Sequence, residues 1–401
     1  MTENKVDIEK LEAINIIIAG HIDHGKTTLL QKLSGKWADT HSEELKRGIT
    51  IKLGYADTII YEDKGEFNIN KKGTPKRYVS FIDAPGHEML MATMLSGAAI
   101  VDAAILVVAA NEGIKPQTRE HLLALQAKNI QNIIIVQNKI DLVDQRKAME
   151  NFLVLKKEFK GTIAENAPII PVSAQQEINL SEVFKEICKI KTPERNSKED
   201  PIFLIARSFD INKPGTKPQD LHGTILGGTL KSGILKIGDT IEIKPGIMLK
   251  EQNQIKYQTI KTKISGLNKG SNSVSILTPG GSAAIETEFD MSIGKTDALS
   301  GCVASHQNIL PEITTNIKIK YNLFDELSGL AGHQKIQPLK PSEMIMLSVN
   351  TSVTVGVIKK LNSEEVDLSL RIPIVPFKNS KIGIARNINN HWRLVGYGEI
   401  I

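Results

Sequence analysis

The 401-residue sequence has very few cysteines and aromatic residues. Its two cysteines, Cys188 and Cys302, lie far apart along the chain, which excludes a disulfide framework and a cysteine-based metal site. We expect both to be small buried residues in a reducing compartment. Phe, Trp and Tyr together make up only 4% of the chain, which argues against a nucleic-acid-binding protein built on stacking platforms.

Long hydrophobic runs are absent as well. The longest run, 97–110, is interrupted by Asp102 and is shorter than the roughly 20 residues of a membrane-spanning helix. The first ten residues are charged and polar and lack the apolar region of a signal peptide. We therefore expect a cytoplasmic protein without a membrane partner.

Charge and length narrow the class of protein only slightly. The formal net charge of +5 is compatible with a nucleic-acid partner, but many enzymes carry a similar excess. The length favours two or three domains of about 100–200 residues each.

Strand and helix patterns alternate in the first half of the chain. Continuous apolar stretches predict buried strands at 14–19, 79–83, 103–109, 132–137 and 169–172. Helical patterns lie between or after them at 88–98, 116–128, 145–160 and 181–189. This alternation predicts an α/β domain with a mostly parallel sheet covered by helices on both faces. The phosphate-loop motif described below makes it a P-loop domain.

The pattern changes at 191–201, a polar segment flanked by prolines that has the composition of a linker. Beyond it, short β-branched runs are punctuated by glycine, and helical periodicity is almost absent. About 200 residues of this pattern predict two small antiparallel β-barrels rather than one. We therefore divide the chain into domains 1–200, 201–311 and 312–401.

The segment 20–27, GHIDHGKT, matches the phosphate-loop pattern G-x-x-x-x-G-K-[ST] between a predicted strand and a predicted helix. Its glycines let backbone N–H groups point at phosphate oxygens, and the helix N-terminus adds partial positive charge. Lys26 supplies a charge to those oxygens, and the Thr27 hydroxyl suits a Mg²⁺ ion. The expected nucleotide contacts in this segment are Asp23, His24, Gly25, Lys26, Thr27 and Thr28.

A second motif, Asp83-Ala-Pro-Gly86, follows the predicted strand 79–83. The carboxylate of Asp83 would lie at the carboxyl edge of the sheet, where it suits an outer-sphere contact to Mg²⁺. Gly86 can offer its N–H group to a γ-phosphate.

Two further segments point to guanine. Asn138-Lys139-Ile140-Asp141 follows a predicted strand, and the Asp141 carboxylate can accept from both N1–H and N2–H of guanine, which adenine cannot offer. Ser173-Ala174, followed by Gln175, comes after another strand and can give a backbone N–H to guanine O6. Four motifs in this order predict a GTPase that converts GTP to GDP and phosphate.

Two residues are candidates for switching and catalysis. Thr50 can bind Mg²⁺ and the γ-phosphate only when GTP is present, which would order a switch loop. His87 directly follows the Asp83–Gly86 motif, where a residue that orients the attacking water belongs. The alternatives are a surface strand threonine and a structural histidine.

The stretches GHIDHGKTT, RGITI, DAPGH and NKID resemble translation factor GTPases of the elongation factor Tu branch. Further stretches are very similar to the gamma subunit of archaeal and eukaryotic initiation factor 2. They cover 37–51, 113–126, 164–174, 207–215, 226–228 and 392–398. The resemblance therefore spans nearly the whole chain, including both predicted barrels.

This resemblance implies a GTPase domain followed by two β-barrels, with GTP or GDP and Mg²⁺ as cofactors. It implies binding of methionylated initiator tRNA, delivery to the small ribosomal subunit, and slow GTP hydrolysis until a partner stimulates it. An alpha subunit would dock on the second domain and a beta subunit on the GTPase domain, and we expect no DNA partner. A second Mg²⁺ would lie between Asp23, which we group with His87 as catalytic, and the carbonyl of Gly48.

One segment departs from the family. Archaeal members usually carry a zinc knuckle of paired cysteines before the DxxGH strand, but 57–80 contains neither cysteine nor histidine, so no zinc is expected. We expect a hairpin there, turning at Lys64-Gly65 or Lys72-Gly73. A basic cluster would form a solvated loop, with an RNA contact as the less favoured alternative: Lys71, Lys72, Lys76 and Arg77.

Other functions remain open at this point. A selenocysteine-specific elongation factor shares the motifs and the three-domain plan, but it typically adds a fourth domain for which this sequence leaves no room. A carrier of elongator tRNA and a non-hydrolysing assembly scaffold are further alternatives.

Overall fold

A computed structural model describes residues 6–36, 53–85, 91–213, 215–217, 219, 221–251, 254–327 and 334–401. The chain divides into two compact units, one comprising 1–193 with 326–334 and the other 194–325 with 335–401. Residues 191–201 form neither helix nor strand. The predicted three-way division, with boundaries after residues 200 and 311, remains a prediction.

The first unit is built on one sheet. Its strands are β1 (Ala13–Gly20), β2 (Gly54–Asp63), β3 (Glu66–Asn68), β4 (Thr74–Asp83), β5 (Ala103–Ala109), β6 (Asn132–Asn138) and β7 (Ile169–Pro171). They form a seven-stranded sheet in the order β3-β2-β4-β1-β5-β6-β7. Five neighbouring strands of this order are parallel: β4, β1, β5, β6 and β7. Strands β2 and β3 add an antiparallel edge. The predicted mostly parallel sheet is thus confirmed.

Helices follow the parallel strands. They are α1 (Lys26–Ser34), α2 (Met91–Ala98), α3 (Pro116–Ala127), α4 (Gln145–Glu158) and α5 (Leu180–Lys189). Leucines of α1 pack with Ile14, Ile16 and Ile18 of β1 in one core cluster, to which α5 adds Phe184. Every residue of β1 is buried, which explains its unbroken apolar run. No helix in the described ranges is long and apolar enough to cross a membrane.

The segment without cysteines forms the hairpin that we expected, and it uses both candidate turns. Lys64 and Gly65 connect β2 to β3 with φ values of 52° and 89°, and Gly73 precedes β4 with a φ of 91°. Phe67 and Ile69 pack against the core of the sheet. Ser181 Oγ accepts a hydrogen bond from Phe67 N (3.0 Å), which ties β3 to the start of α5. Packing and hydrogen bonds therefore hold this hairpin.

The prediction of a basic cluster in a solvated loop is wrong for one residue, Arg77. Arg77 is only 6% exposed and does not belong to a solvated loop. Its Nη1 donates to the carbonyl oxygens of Ile187 (2.7 Å) and Ile190 (2.6 Å). The last carbonyls of a helix lack intrahelical partners, so the end of α5 draws the guanidinium into the interior. Lys76 forms an ion pair with Glu62 across the hairpin, 2.6 Å from Nζ to Oε2.

The second unit is built mainly of β-strands. Its first group of strands is β8 (Ile202–Phe209), β9 (Ile225–Ser232), β10 (Leu235–Lys236), β11 (Thr240–Glu251), β12 (Gln254–Lys269), β13 (Asn272–Val274), β14 (Ile276–Leu277), β15 (Ala283–Thr287) and β16 (Val303–His306). Six of them follow the order β11-β16-β8-β9-β15-β12, and pairing of β12 with β11 closes the barrel. Its core includes Phe203, Ile205 and Leu226.

Six of the remaining strands form a second barrel. They are β17 (Thr314–Leu323), β20 (Met344–Val349), β21 (Ser352–Leu361), β22 (Glu365–Ile374), β23 (Lys381–Ile388) and β24 (His391–Ile400). The closed order is β17-β22-β21-β20-β23-β24. The short strands β18 (Glu326–Leu327) and β19 (Gln334–Lys335) form a separate two-stranded sheet. Two antiparallel barrels were predicted, and the prediction is confirmed. Of the two cysteines, Cys302 is buried as expected, whereas Cys188 is only half-buried.

Candidate nucleotide-binding site

The phosphate loop leaves β1 at the carboxyl edge of the sheet and enters α1. Gly20 has a φ of +143°, and a Cβ there would lie 2.4 Å from the carbonyl oxygen of Val107. Gly25 has a φ of +85°, and a Cβ there would lie 2.4 Å from Nδ2 of Asn138. Both positions therefore require glycine, which lets the backbone curl into a loop.

Lys26, Thr27 and Asp83 come together where the loop enters α1. Gly25 caps this helix without a side-chain hydrogen bond, which suits an anion at its first N–H groups. Lys26 Nζ donates to the carbonyl oxygen of His21 at 2.8 Å, inside the loop. Thr27 Oγ1 donates to Asp83 Oδ2 at 2.8 Å. Hydroxyl and carboxylate oxygens are the ligands that Mg²⁺ prefers, so these residues fit the expected ion.

Asn138 joins two loops of the site. It is the last residue of β6 and is 2% exposed. Its Nδ2 donates to the carbonyl oxygen of His24 at 2.9 Å, and its Oδ1 accepts from Ala174 N at 3.0 Å. The N–H of Ala174, a candidate donor to guanine O6, is thus already paired with Asn138.

The other guanine-site candidates lie at the same edge of the sheet. Lys139 follows β6 with a φ of +59°, and Asp141 lies exposed on a short 3-10 turn. Ser173 is fully buried after β7, and Gln175 is exposed. Thr28 is half-buried on α1 and Asp23 is exposed in the loop. The four motifs of the first unit therefore meet at one edge, as far as their residues are described.

Comparison with known proteins decides the family. Residues 11–193 match the family model for the elongation factor Tu GTP binding domain, and residues 315–400 match that for the C-terminal part of initiation factor eIF2 gamma. The chain is 47% identical to translation initiation factor 2 subunit gamma of Methanococcus vannielii, over 97% of this chain and 98% of that protein. It is 45% identical to the same subunit of Pyrococcus furiosus, over 96% and 97% of the two chains. The chain belongs to the family of translation initiation factor 2 gamma subunits.

This gamma-subunit family member is therefore a translation initiation factor GTPase, and its GTP-binding domain binds guanine nucleotide. Solved structures support the same fold. A bacterial selenocysteine-specific elongation factor superposes with a TM-score of 0.75 at 23% identity, over 97% of this chain and 58% of that chain. An elongation factor SelB from Methanococcus maripaludis, in complex with a GTP analogue, gives a TM-score of 0.73 at 22% identity, over 97% and 79% of the chains.

Four predicted site residues lie outside the described residues: Gly48, Thr50, Gly86 and His87. The switch threonine, the γ-phosphate N–H, the water-orienting histidine and the second Mg²⁺ site therefore stay predictions for this gamma-subunit family member.

Sequence reasoning missed one contact of the phosphate loop. His121 of α3 is 2% exposed, and its Nδ1 accepts a hydrogen bond from Gly20 N at 2.9 Å. Burial lowers the pKa of His121 to about 3 and that of the fully buried His24 to about 4. Both rings are thus neutral near pH 7, and a neutral ring leaves Nδ1 of His121 free to accept. The contact joins residues 101 positions apart, for which the sequence carries no signal.

Proposed function

We propose that this GTPase binds methionylated initiator tRNA in its GTP form, delivers it to the small ribosomal subunit, and releases it after GTP is hydrolysed to GDP. One observation carries the proposal. The 47% identity to a relative named translation initiation factor 2 subunit gamma extends over 97% of the chain, so it includes both barrels as well as the GTPase domain. A general nucleotide-binding function would not require that agreement outside the first domain.

The phosphates would bind at the loop and at the first turn of α1. The N–H groups around Gly25 point partial positive charge at β- and γ-phosphate oxygens, and Lys26 can turn its ammonium from the His21 carbonyl to them. Thr27 and, behind it, Asp83 would hold Mg²⁺, which when bound neutralises phosphate charge. Asp23, His24 and Thr28 line the same loop and first turn.

Guanine would be selected on the other side of the site. The Asp141 carboxylate accepts from N1–H and N2–H, and Lys139 and the 173–175 segment border the base. Asn138 acts by holding the His24 and Ala174 backbones in place.

Hydrolysis would depend on His87 to orient water and on Thr50 to order the switch, with Asp23 and the Gly48 carbonyl at the second Mg²⁺. We expect unassisted turnover to be slow, on the order of 10⁻⁴ s⁻¹ as for an unassisted small GTPase. His87→Ala should abolish the ribosome-stimulated turnover and leave GDP binding unchanged. Unchanged stimulated turnover would favour a scaffold in which the nucleotide is structural.

Exposed apolar side chains support docking of a beta subunit on the GTPase domain. Leu153 and Met149 of α4 are 59% and 56% exposed, and Leu142 just before this helix is 60% exposed. Leu153→Asp should weaken binding of the beta subunit in titration calorimetry. Ile237→Asp, at an exposed position of the second unit, serves as the control.

Docking of an alpha subunit on the second predicted domain has similar support. Met248 is 60% exposed and Ile211 is 48% exposed in that part of the chain. Met248→Asp should weaken binding of the alpha subunit, whereas Met344→Asp, at a 64% exposed position of the last barrel, should not.

The decisive experiment measures binding of three charged tRNAs to the GTP-loaded and GDP-loaded protein, with and without the alpha subunit. The tRNAs are initiator Met-tRNA, elongator Met-tRNA and selenocysteinyl-tRNA, at one stated salt concentration because phosphate contacts make affinity salt-dependent. Preference for initiator Met-tRNA in the GTP state supports the proposal. Preference for either other tRNA moves the protein to an elongation role, and binding of none contradicts a carrier function.

A further inference from the structure

Helix α3 touches the phosphate loop at two consecutive residues. His121 Nδ1 accepts a hydrogen bond from the backbone N–H of Gly20 at 2.9 Å. One turn earlier on the same helix, Gln117 Oε1 is hydrogen-bonded to His21 Nδ1. Residues four apart lie on one face of a helix, so a single face of α3 makes both contacts.

The first of these contacts is buried on every side. Gly20 ends β1 and lies against Val107 of β5, whose carbonyl oxygen would be 2.4 Å from a Cβ at this position. His121 approaches the N–H of the same residue and is 2% exposed. Gly20 is therefore confined between a strand and a side chain of α3, and its N–H would lose its partner if an apolar side chain of similar size replaced His121.

The second contact reaches the lysine of the loop. Gln117 holds the side chain of His21, and the backbone carbonyl of His21 accepts from Lys26 Nζ at 2.8 Å. A shift of the backbone at residues 20 and 21 would therefore move the carbonyl oxygen that holds the ammonium of Lys26 in place. The N–H groups that follow in the loop would move with it.

We propose that His121 and Gln117 are positioning residues for guanine nucleotide binding: α3 sets the geometry of the phosphate loop through the backbone N–H of Gly20 and the side chain of His21. Neither side chain needs to touch the nucleotide for this role. The inference rests on guanine nucleotide binding by the GTPase domain and is independent of the tRNA that the protein carries.

A matched pair of variants of the full chain tests the role of His121. In His121→Asn, Oδ1 is attached to Cγ as Nδ1 is in histidine, so it can accept from Gly20 N. In His121→Leu, a methyl group of similar size takes that place and accepts nothing. We expect the dissociation constant for GDP to rise about 10- to 100-fold in the leucine variant, and to stay within about threefold of the wild type in the asparagine variant.

Thr118→Val is the control on the same helix. Thr118 is fully buried, and its Oγ1 makes no hydrogen bond to any described residue, so its replacement should leave GDP affinity unchanged. Thermal unfolding without nucleotide, measured for each variant, separates a loss of affinity from a loss of stability.

Three results would overturn the inference. GDP affinity could be unchanged in His121→Leu, it could fall equally in the leucine and asparagine variants, or it could fall only in proportion to a lowered unfolding temperature. If His121→Leu does not fold, Gln117→Leu decides, because it should still weaken GDP binding severalfold and an unchanged affinity would contradict the role of α3. A wild-type protein that binds no GDP would overturn both this inference and the nucleotide site.

Discussion

Asn138 donates a hydrogen bond from Nδ2 to the carbonyl oxygen of His24 at 2.9 Å, across 114 positions of the chain. The same side chain accepts from the N–H of Ala174 at 3.0 Å. One buried amide thus joins the phosphate loop to the loop after β7. The guanine motif and the phosphate motif are therefore parts of one hydrogen-bonded site.

Replacing Asn138 by leucine should separate these loops. The change keeps the shape of the side chain but leaves the His24 carbonyl and the Ala174 N–H without partners, at about 1–3 kcal/mol for each buried group. We expect GDP affinity, measured by titration calorimetry, to fall at least about tenfold. Asn111→Leu on the exposed turn after β5 should bind GDP normally. Equal affinities of the wild type and Asn138→Leu would show that this amide does not support the site.

Removal of Mg²⁺ tests whether the hydroxyl of Thr27 binds the ion. Chelation with EDTA should weaken GDP binding to the wild type about tenfold or more, because phosphate charge is then no longer neutralised. Thr27→Val removes the hydroxyl that we assign to the ion, so its GDP affinity should depend much less on EDTA. Nucleotide release can be followed with fluorescent GDP. An EDTA effect in Thr27→Val as large as in the wild type would contradict the assignment.

Lowering the pH should reduce the free energy of unfolding, because His121 is protonated in the unfolded chain but not in the folded one. The pKa of His121 is about 3 when folded and near 6.5 when unfolded, so the unfolded chain binds a proton between these values that the folded chain does not. This contribution is complete above pH 6.5, and it falls by about 1.4 kcal/mol for each pH unit below.

Urea unfolding at pH 7.5 and pH 5 measures this effect. The loss of unfolding free energy between the two values should be about 2 kcal/mol smaller in His121→Leu than in the wild type. Thr118→Val should retain the full loss. If His121→Leu loses as much stability as the wild type, the imidazole is not held neutral in the folded state.

The hairpin of β2, β3 and β4 should be stable without zinc. Phe67 is half-buried against the core of the sheet, so Phe67→Ala should lower the free energy of unfolding by about 1–2 kcal/mol. Asn70→Ala at the exposed tip should have little effect. A zinc chelator should leave the unfolding temperature of the wild type unchanged, and a drop on chelation would contradict the expectation of a zinc-free hairpin.

Strand prediction succeeded where burial alone decides the pattern. The run 103–109 matches β5 residue for residue. The first barrel was predicted less well. The sequence pattern indicated short β-branched runs, whereas two strands of this barrel are long, Thr240–Glu251 (β11) and Gln254–Lys269 (β12). There each strand is stabilised by pairing with the other, as in Met248 opposite Tyr257, rather than by an alternating pattern of its own.

The sequence by itself determined the P-loop domain, the two barrels and the family, because each of them follows from local patterns. Glycine, lysine and carboxylate at set distances after apolar strands indicate the P-loop domain and the family, and short β-branched runs between glycines indicate the barrels. Tertiary structure alone decided that Arg77 is buried, that Asn138 bridges two loops, and that His121 accepts from Gly20. Each of these contacts joins residues more than 30 positions apart. Such contacts form because a buried polar group must find a partner, and only the folded chain determines which group lies within reach.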